Sequence, residues 1–312
     1  MSATIHNVPT NIISGFLGVG KTTAILDLFS KKPQAENWAV LVNEFGKVGI
    51  DGRIYQSKGI SVKEIPGGCM CCSQGLPLQV AVNRLLRETR PDRLIIESSG
   101  VGHPAGVLKT LQGESFKDVL TLKASICLLD PEYLLDSYYR DNALFKEQIQ
   151  FADVLVANKT DLASVQALQA FDELSDGFEP AKAQVAITTR GQLALDWLAC
   201  EHQSHTQIVL FKPIGAEHSQ NWQTHTFQFP EKTLFDVDAL ERWLPIINVI
   251  RLKGLVQIDD AFYLLNVSAG NVDITPFESQ ADSFQASSYI EVIDQNLDVS
   301  SLESGIAACV VS

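Results

Sequence analysis

The stretch Gly15-Phe16-Leu17-Gly18-Val19-Gly20-Lys21-Thr22 constrains this chain more than any other. It satisfies the phosphate-loop pattern G-x-x-x-x-G-K-[ST] at every fixed position. Asn11 to Ser14, just before it, is a short apolar run that reads as a buried strand. Thr23 to Ser30, just after it, carries Ile25, Leu28 and Phe29 at helical spacing. A loop between a strand and a helix turns successive N–H groups onto an anion, and the helix N-terminus adds positive potential. Lys21 is then placed to reach the β- and γ-phosphates of a nucleotide, and the Thr22 hydroxyl to hold Mg²⁺.

The rest of the chain repeats the alternation. Buried-strand runs recur at 39–42, 93–97, 125–130, 154–157 and 185–187, with a half-exposed strand at 61–65. Helical patterns lie at 78–87 and 133–149, and the polar, Gly-rich patches after residue 42 read as a loop. Alternating strands and helices predict an α/β fold with a mostly parallel, doubly wound sheet, and ligands then bind beyond the strand C-termini. Periodicity fades from 201 onward. Beyond that point, strands at 224–229, 249–258, 262–267 and 288–293 and helices at 237–244 and 299–310 predict a smaller α+β domain. The expected division is a nucleotide domain over 1–205, a linker over 206–223 and a second domain over 224–312.

Composition narrows the partners. A net charge of −13, from 24 basic and 37 acidic residues, argues against nucleic acid or an anionic membrane as the main partner. No segment is apolar enough to span a bilayer. The N-terminal MSATIHNVPT lacks a basic region and a long apolar core, so no secretory signal is expected. Of six cysteines, three crowd into Cys69-Met70-Cys71-Cys72, which is not a disulfide framework and fits a cytoplasmic chain with one thiol site.

Three further motifs carry chemistry. Asn158-Lys159-Thr160-Asp161 matches N-K-x-D at a strand end, where a carboxylate accepts from the ring N–H and amino group of guanine together. Adenine cannot supply that pair of donors, so GTP is selected over ATP. Glu97 stands at the end of an apolar strand, where a metal-side acid of a phosphoryl-transfer site is expected. Gly100 is placed to offer its N–H to the γ-phosphate. Cys69, Cys71 and Cys72 follow a Gly-Gly turn, and three thiolates there favour a soft ion such as Zn²⁺ while leaving its fourth position open. A redox-active thiol pair and inert buried thiols are the competing readings.

Taken in order, these residues resemble the CobW-type GTPases, relatives of the nickel-insertion GTPases of hydrogenase and urease. The signatures are Gly15 to Thr23, Asn43-Glu44-Phe45-Gly46, Gly68-Cys69-x-Cys71-Cys72, Glu97-x-Ser99-Gly100, Asn158-Lys159-x-Asp161 and, in the second domain, Arg251-x-Lys253-Gly254. The resemblance implies a P-loop NTPase domain followed by a CobW C-terminal domain. It implies GTP hydrolysis coupled to the transfer of Zn²⁺, or Co²⁺, to a client metalloprotein, with nucleotide-dependent homodimers. By resemblance, Gly18, Val19, Gly20, Lys21, Thr22 and Thr23 hold phosphates and Mg²⁺, with Gly15 opening the loop. Asn158 and Asp161 read guanine, with Lys159 between them on the nucleotide side, Glu44 and Asp51 belong to a first switch on the metal side, and Cys69, Cys71 and Cys72 bind the transferred metal. The chain departs from the family in carrying His103 where an aspartate usually precedes proline, and in lacking the usual His-rich tract. The alternative reading is a metal-sensing regulatory GTPase that times a partner complex without transferring metal.

Overall fold

The computed structural model describes residues 5–43, 50–65, 76–203, 222–268, 270–277 and 287–311. The chain divides into two compact units, one of residues 1–44 and 60–218, the other of 45–59 and 219–312.

The first unit is the alternating α/β domain. In chain order its elements are β1 (Val8–Ser14), α1 (Lys21–Lys31) and β2 (Trp38–Asn43). After β2 the chain leaves to contribute α2 (Ile50–Ser57) to the second unit, then returns as β3 (Ser61–Ile65), α3 (Leu76–Thr89) and β4 (Arg93–Glu97). Next come α4 (Pro104–Leu111), β5 (Leu120–Leu122), β6 (Ile126–Leu129), α5 (Ser137–Arg140), α6 (Ala143–Phe151), β7 (Val154–Ala157), α7 (Val165–Asp176) and β8 (Gln184–Ile187). The sheet runs β3-β2-β4-β1-β6-β7-β8, with β5 also paired to β1, and its strand pairings are parallel. β2, β4, β6 and β7 are buried along nearly their whole length, as strands covered by helices on both faces must be. The crossover between β1 and its two neighbours opens the C-terminal crevice in which such sheets bind ligands.

The single helix expected over 133–149 is three pieces. A 3-10 turn covers Pro131–Leu134, then α5 and α6 follow. Asp130, Asp136 and Asn142 each accept a hydrogen bond from a backbone N–H just inside the next piece. Each is an N-cap that restarts the helix on a new axis. α2, α4, α7 and the short β5 arise where no element was expected.

The second unit is built on an antiparallel sheet of β9 (Gln223–Gln228), β10 (Arg251–Ile258), β11 (Ala261–Ser268), β12 (Asn271–Pro276) and β13 (Tyr289–Asp294), in the order β12-β11-β10-β13-β9. α8 (Val237–Trp243) and α9 (Val299–Ala307) cover one face. Leu252, Val256, Ile290 and Val292 meet Leu240, Leu302 and Ile306 there. The other face carries Leu255 and Tyr289, and on them sits α2, with Ile54 packed in the same cluster as Phe262, Leu264 and Phe277. Of the residues expected to form a loop beside the nucleotide, 50–52 thus open a helix that folds with the second domain, and 44–49 lie outside the described residues. Among the described residues no helix is long and apolar enough to cross a membrane.

Candidate nucleotide and metal site

The phosphate loop is held from below by aromatic packing. Phe16 is buried and meets Tyr139 and Phe145 edge-on, at centroid distances of 5.5 and 6.1 Å, while Tyr139 stacks on Tyr133 at 3.9 Å. The Tyr133 hydroxyl donates to the Leu17 carbonyl at 3.0 Å. This aromatic group comes from the broken helical stretch, so the breaks deliver the rings that fix the loop. Lys21 is buried inside the loop, its ammonium donating to the carbonyls of Gly15 and Phe16 at 2.8 and 3.0 Å. Gly20 has φ +98°, and a Cβ there would lie 2.6 Å from the Asn158 amide nitrogen. Both the left-handed conformation and the close approach require glycine.

Asn158 proves to be a brace. It is 2% exposed. Its Nδ2 donates to the Val19 carbonyl at 2.9 Å, and its Oδ1 accepts from the Gly191 N–H at 2.9 Å. One side chain therefore ties the phosphate loop to the loop after β8, a role that backbone-to-side-chain contacts in three dimensions reveal and sequence spacing does not. Lys159, at φ +60°, pairs its ammonium with Asp130 at 3.1 Å. Asp161 lies exposed beyond them.

Glu97 and the phosphate loop meet through sheet register. Ile13 of β1 pairs with Glu97 of β4, and the Thr22 hydroxyl donates to Glu97 Oε1 at 3.1 Å. A hydroxyl and a carboxylate at hydrogen-bond distance form a hard-oxygen set that fits Mg²⁺. Beyond Glu97, Gly100 approaches the phosphate loop so closely that a Cβ would lie 2.9 Å from the Leu17 nitrogen and 3.0 Å from its Cα. Gln148 on α6, which carried no sequence signal, is buried and donates from Nε2 to the carbonyls of Gly100 and Gly102 at 3.1 and 3.2 Å. His103 contacts Glu147 at 2.6 Å, and that hydrogen bond raises the imidazole pKa above its ordinary value. The loop after β4 is thus held by α6 at two points.

Residues 9–186 match the family model "CobW/HypB/UreG, nucleotide-binding domain", and residues 223–310 match "Cobalamin synthesis protein cobW C-terminal domain". The chain belongs to the CobW/HypB/UreG family. The zinc chaperone YeiR of Escherichia coli (strain K12) is 39% identical over 287 residues, covering 85% of this chain and 88% of YeiR. The zinc chaperone CobW of a Sinorhizobium species is 29% identical over 316 residues, covering 88% of each. Among solved structures, the Zn(II)-bound YjiA GTPase of E. coli overlays with a TM-score of 0.45 at 17% identity, covering 98% of this chain and 99% of that one.

In this CobW/HypB/UreG chain the remaining expected site residues separate. Glu44 and the cysteine motif Cys69, Cys71 and Cys72 lie outside the described residues. Their points of departure are described: Asn43, just before Glu44, is the register partner of Ile65, just before Pro66. β2 and β3 therefore end side by side, and Val42 of β2 pairs in turn with Glu97. Asp51, expected on the metal side, is 6% exposed and belongs to the second unit, where its carboxylate pairs with Lys253 and stands 4.0 Å from Arg251. Among the described residues no group of three His, Cys, Asp or Glu side chains could hold a metal ion. Of the other cysteines, Cys127 is buried in β6 and its thiol is pushed up to about 11 by that burial.

Proposed function

We propose that this CobW/HypB/UreG-family GTPase uses GTP turnover to hand Zn²⁺, carried by Cys69, Cys71 and Cys72, to a client metalloprotein. The observation that carries the reading is the register of three strand ends. β4 delivers Glu97 to the Thr22 hydroxyl, β2 ends beside it at the Asn43-Glu44 signature, and β3 ends one strand further on, four residues before Cys69. Adjacent parallel strands are roughly 4.8 Å apart. A change at the phosphates is therefore one strand from the switch segment and two from the root of the thiol segment.

The residues divide the work. Backbone N–H groups from Gly18 to Thr23 cradle the phosphates, and Lys21 exchanges its loop carbonyls for phosphate oxygens. Thr22, with Glu97 beside it, would hold Mg²⁺, which would neutralise charge on the β- and γ-phosphates. Gly100 offers its N–H toward the γ-phosphate, with its loop held by Gln148. Asp161 reads guanine, while Asn158 keeps the phosphate loop and the base-side loop in register. Three thiolates bind Zn²⁺ and leave a replaceable fourth position, which suits delivery. Co²⁺ is the alternative cargo. The net charge of −13 fits a protein whose partners are a client and, with nucleotide, a second copy of the chain, and neither nucleic acid nor membrane, and we place it in the cytoplasm.

Turnover of GTP and ATP tests the nucleotide half of this reading. The parent protein should prefer GTP strongly, and Asp161→Asn should lower kcat/KM for GTP by about tenfold or more, since one charged hydrogen bond is worth roughly 1.5–3 kcal/mol. Equal hydrolysis of the two nucleotides by the parent contradicts it.

A further inference from the structure

Gln148 occupies a place on α6 that an apolar side chain would ordinarily fill. It shares the buried face of that helix with Leu144, Phe145 and Ile149 and is 1% exposed. Its Nε2 donates to the carbonyls of Gly100 and Gly102 at 3.1 and 3.2 Å. Two carbonyl acceptors fix which end of the amide is the nitrogen. The cost falls on the other end: among the described residues, Oε1 is buried with no hydrogen-bond partner. Taking an acceptor out of water unpaired offsets much of what two neutral hydrogen bonds contribute. Stability alone therefore gives little reason for an amide here, and its reason lies in what it holds.

The helix that carries Gln148 is pinned at both ends. Asn142 Oδ1 accepts from the N–H groups of Leu144 and Phe145 at 3.0 and 3.2 Å. At the other end the Lys182 ammonium donates to the carbonyls of Ile149, Gln150 and Ala152 at 2.9, 2.7 and 2.7 Å, a cation where the helix dipole favours one. The loop that Gln148 reaches is held from the opposite side as well. The Ser98 N–H donates to the Ile13 carbonyl of β1 at 2.9 Å, and the Gly102 N–H closes a turn on the Ser99 carbonyl at 2.9 Å. The Gly100 N–H thus lies between two fixed points, Ser98 bonded to β1 and the Gly100 carbonyl bonded to α6. No side chain fits between Gly100 and the phosphate loop, since a Cβ there would lie 2.5 Å from Leu17 Cδ2.

Resting on the GTPase reading above, in which the Gly100 N–H meets the γ-phosphate, we infer that Gln148 is a positioning residue for GTP hydrolysis: its two hydrogen bonds hold the 100–102 turn so that this N–H is in place before the nucleotide arrives. A donor set in advance needs no reorganisation as charge develops on the transferred group. Misplacing such a group by about 1 Å costs on the order of a hundredfold in rate. GDP has no γ-phosphate, so its binding rests on the phosphate loop and Asp161 and does not draw on Gln148. Loss of the two bonds should therefore slow turnover far more than it weakens GDP binding.

The test compares full-length Gln148→Met and Gln148→Glu with the parent, measuring kcat for GTP and affinity for GDP. Methionine keeps the length of the side chain and loses both donors. Its kcat should fall by about tenfold to a hundredfold, with GDP affinity changed by less than about twofold. Glutamate keeps the shape and puts an oxygen where the amide nitrogen was. Burial favours its neutral form, which donates one hydrogen bond, whereas the carboxylate repels both carbonyls. The kcat of Gln148→Glu, divided by that of the parent at the same pH, should therefore recover from about pH 8 to about pH 6. The division also removes any titration of the His103–Glu147 pair beside the same loop. Thermal melting in the same buffer shows that each variant is folded at the assay temperature. Should Gln148→Met melt below it, the pH profile of Gln148→Glu carries the comparison. A folded Gln148→Met protein with the parental kcat overturns the inference. So does a loss of GDP affinity as large as the loss of kcat, or a Gln148→Glu protein whose kcat relative to the parent is the same at both pH values. A parent that fails to hydrolyse GTP removes the GTPase reading itself, a result distinct from a variant that turns over as fast as an active parent.

Discussion

Replacing Asn158 with alanine separates two roles that the N-K-x-D motif merges. If Asn158 acts chiefly as a brace, the substitution removes two buried hydrogen bonds, to the Val19 carbonyl and from the Gly191 N–H. It also takes these bonds away from two backbone groups beside a side chain that is 2% exposed. A buried polar group stripped of its partner costs roughly 1–3 kcal/mol, so the pair sums to about 2–4 kcal/mol once some relaxation is allowed. For a domain of this size each kcal/mol moves Tm by about 2–4 °C, which places the expected drop at roughly 5–15 °C. The assay is thermal unfolding of the nucleotide-domain transition with no nucleotide present. Asn158→Ala should melt well below the parent under those conditions. A nucleotide-free melting curve unchanged from that of the parent, together with a large loss of GTP affinity, would refute the brace and make Asn158 a direct reader of the base.

Two more outcomes are expected. Glu291 has an ordinary pKa of 4.5 and is pushed up to about 7 in the folded chain. The unfolded chain therefore releases this proton first as pH rises, and the stability associated with Glu291 is present below about 4.5 and lost through about 7. Between pH 6 and 8 the second domain should lose about 1 kcal/mol on this account, and Glu291→Gln should flatten that part of the denaturation profile; a slope unchanged in the variant contradicts the assignment. Replacing Cys69, Cys71 and Cys72 together with serine should abolish tight Zn²⁺ binding in competition with a chromophoric chelator, because a neutral hydroxyl is a poor substitute for thiolate. Parental affinity in that variant would move the metal elsewhere.

The parallel sheet was legible because its signal is local. Each central strand is a short apolar run bounded by turn residues, and the phosphate loop fixed which strand comes first. Glu97, read from its place at a strand end, stands in the structure at hydrogen-bond distance from Thr22, because a strand end and a loop are both visible in one dimension. The helix expected over 133–149 breaks for a reason also present in the sequence: Asp130, Asp136 and Asn142 are cap residues, each opening a new piece. α2 was different in kind. Nothing in Ile50 to Ser57 announces that it will fold against residues two hundred positions away, since the cavity it fills is made by β10, β11 and β13. Asp51, assigned to the first switch by resemblance alone, stands in the structure as the partner of Lys253. Gln148 and the bracing contacts of Asn158 were equally hidden, because a side chain that bonds to remote backbone leaves no spacing pattern.

The central claim is that GTP turnover moves zinc, and a single-turnover transfer assay tests it most directly. The protein is loaded with one Zn²⁺ per chain, freed of excess metal and mixed with a chromophoric chelator that stands in for the client, in the presence of Mg²⁺. Zn²⁺ appearance is followed after addition of GTP, of a non-hydrolysable GTP analogue, or of GDP. Coupling predicts release with GTP at the rate of phosphate formation, and much slower release with the analogue, which binds without being hydrolysed. Zinc release that proceeds at one rate with GTP, analogue and GDP would contradict the claim.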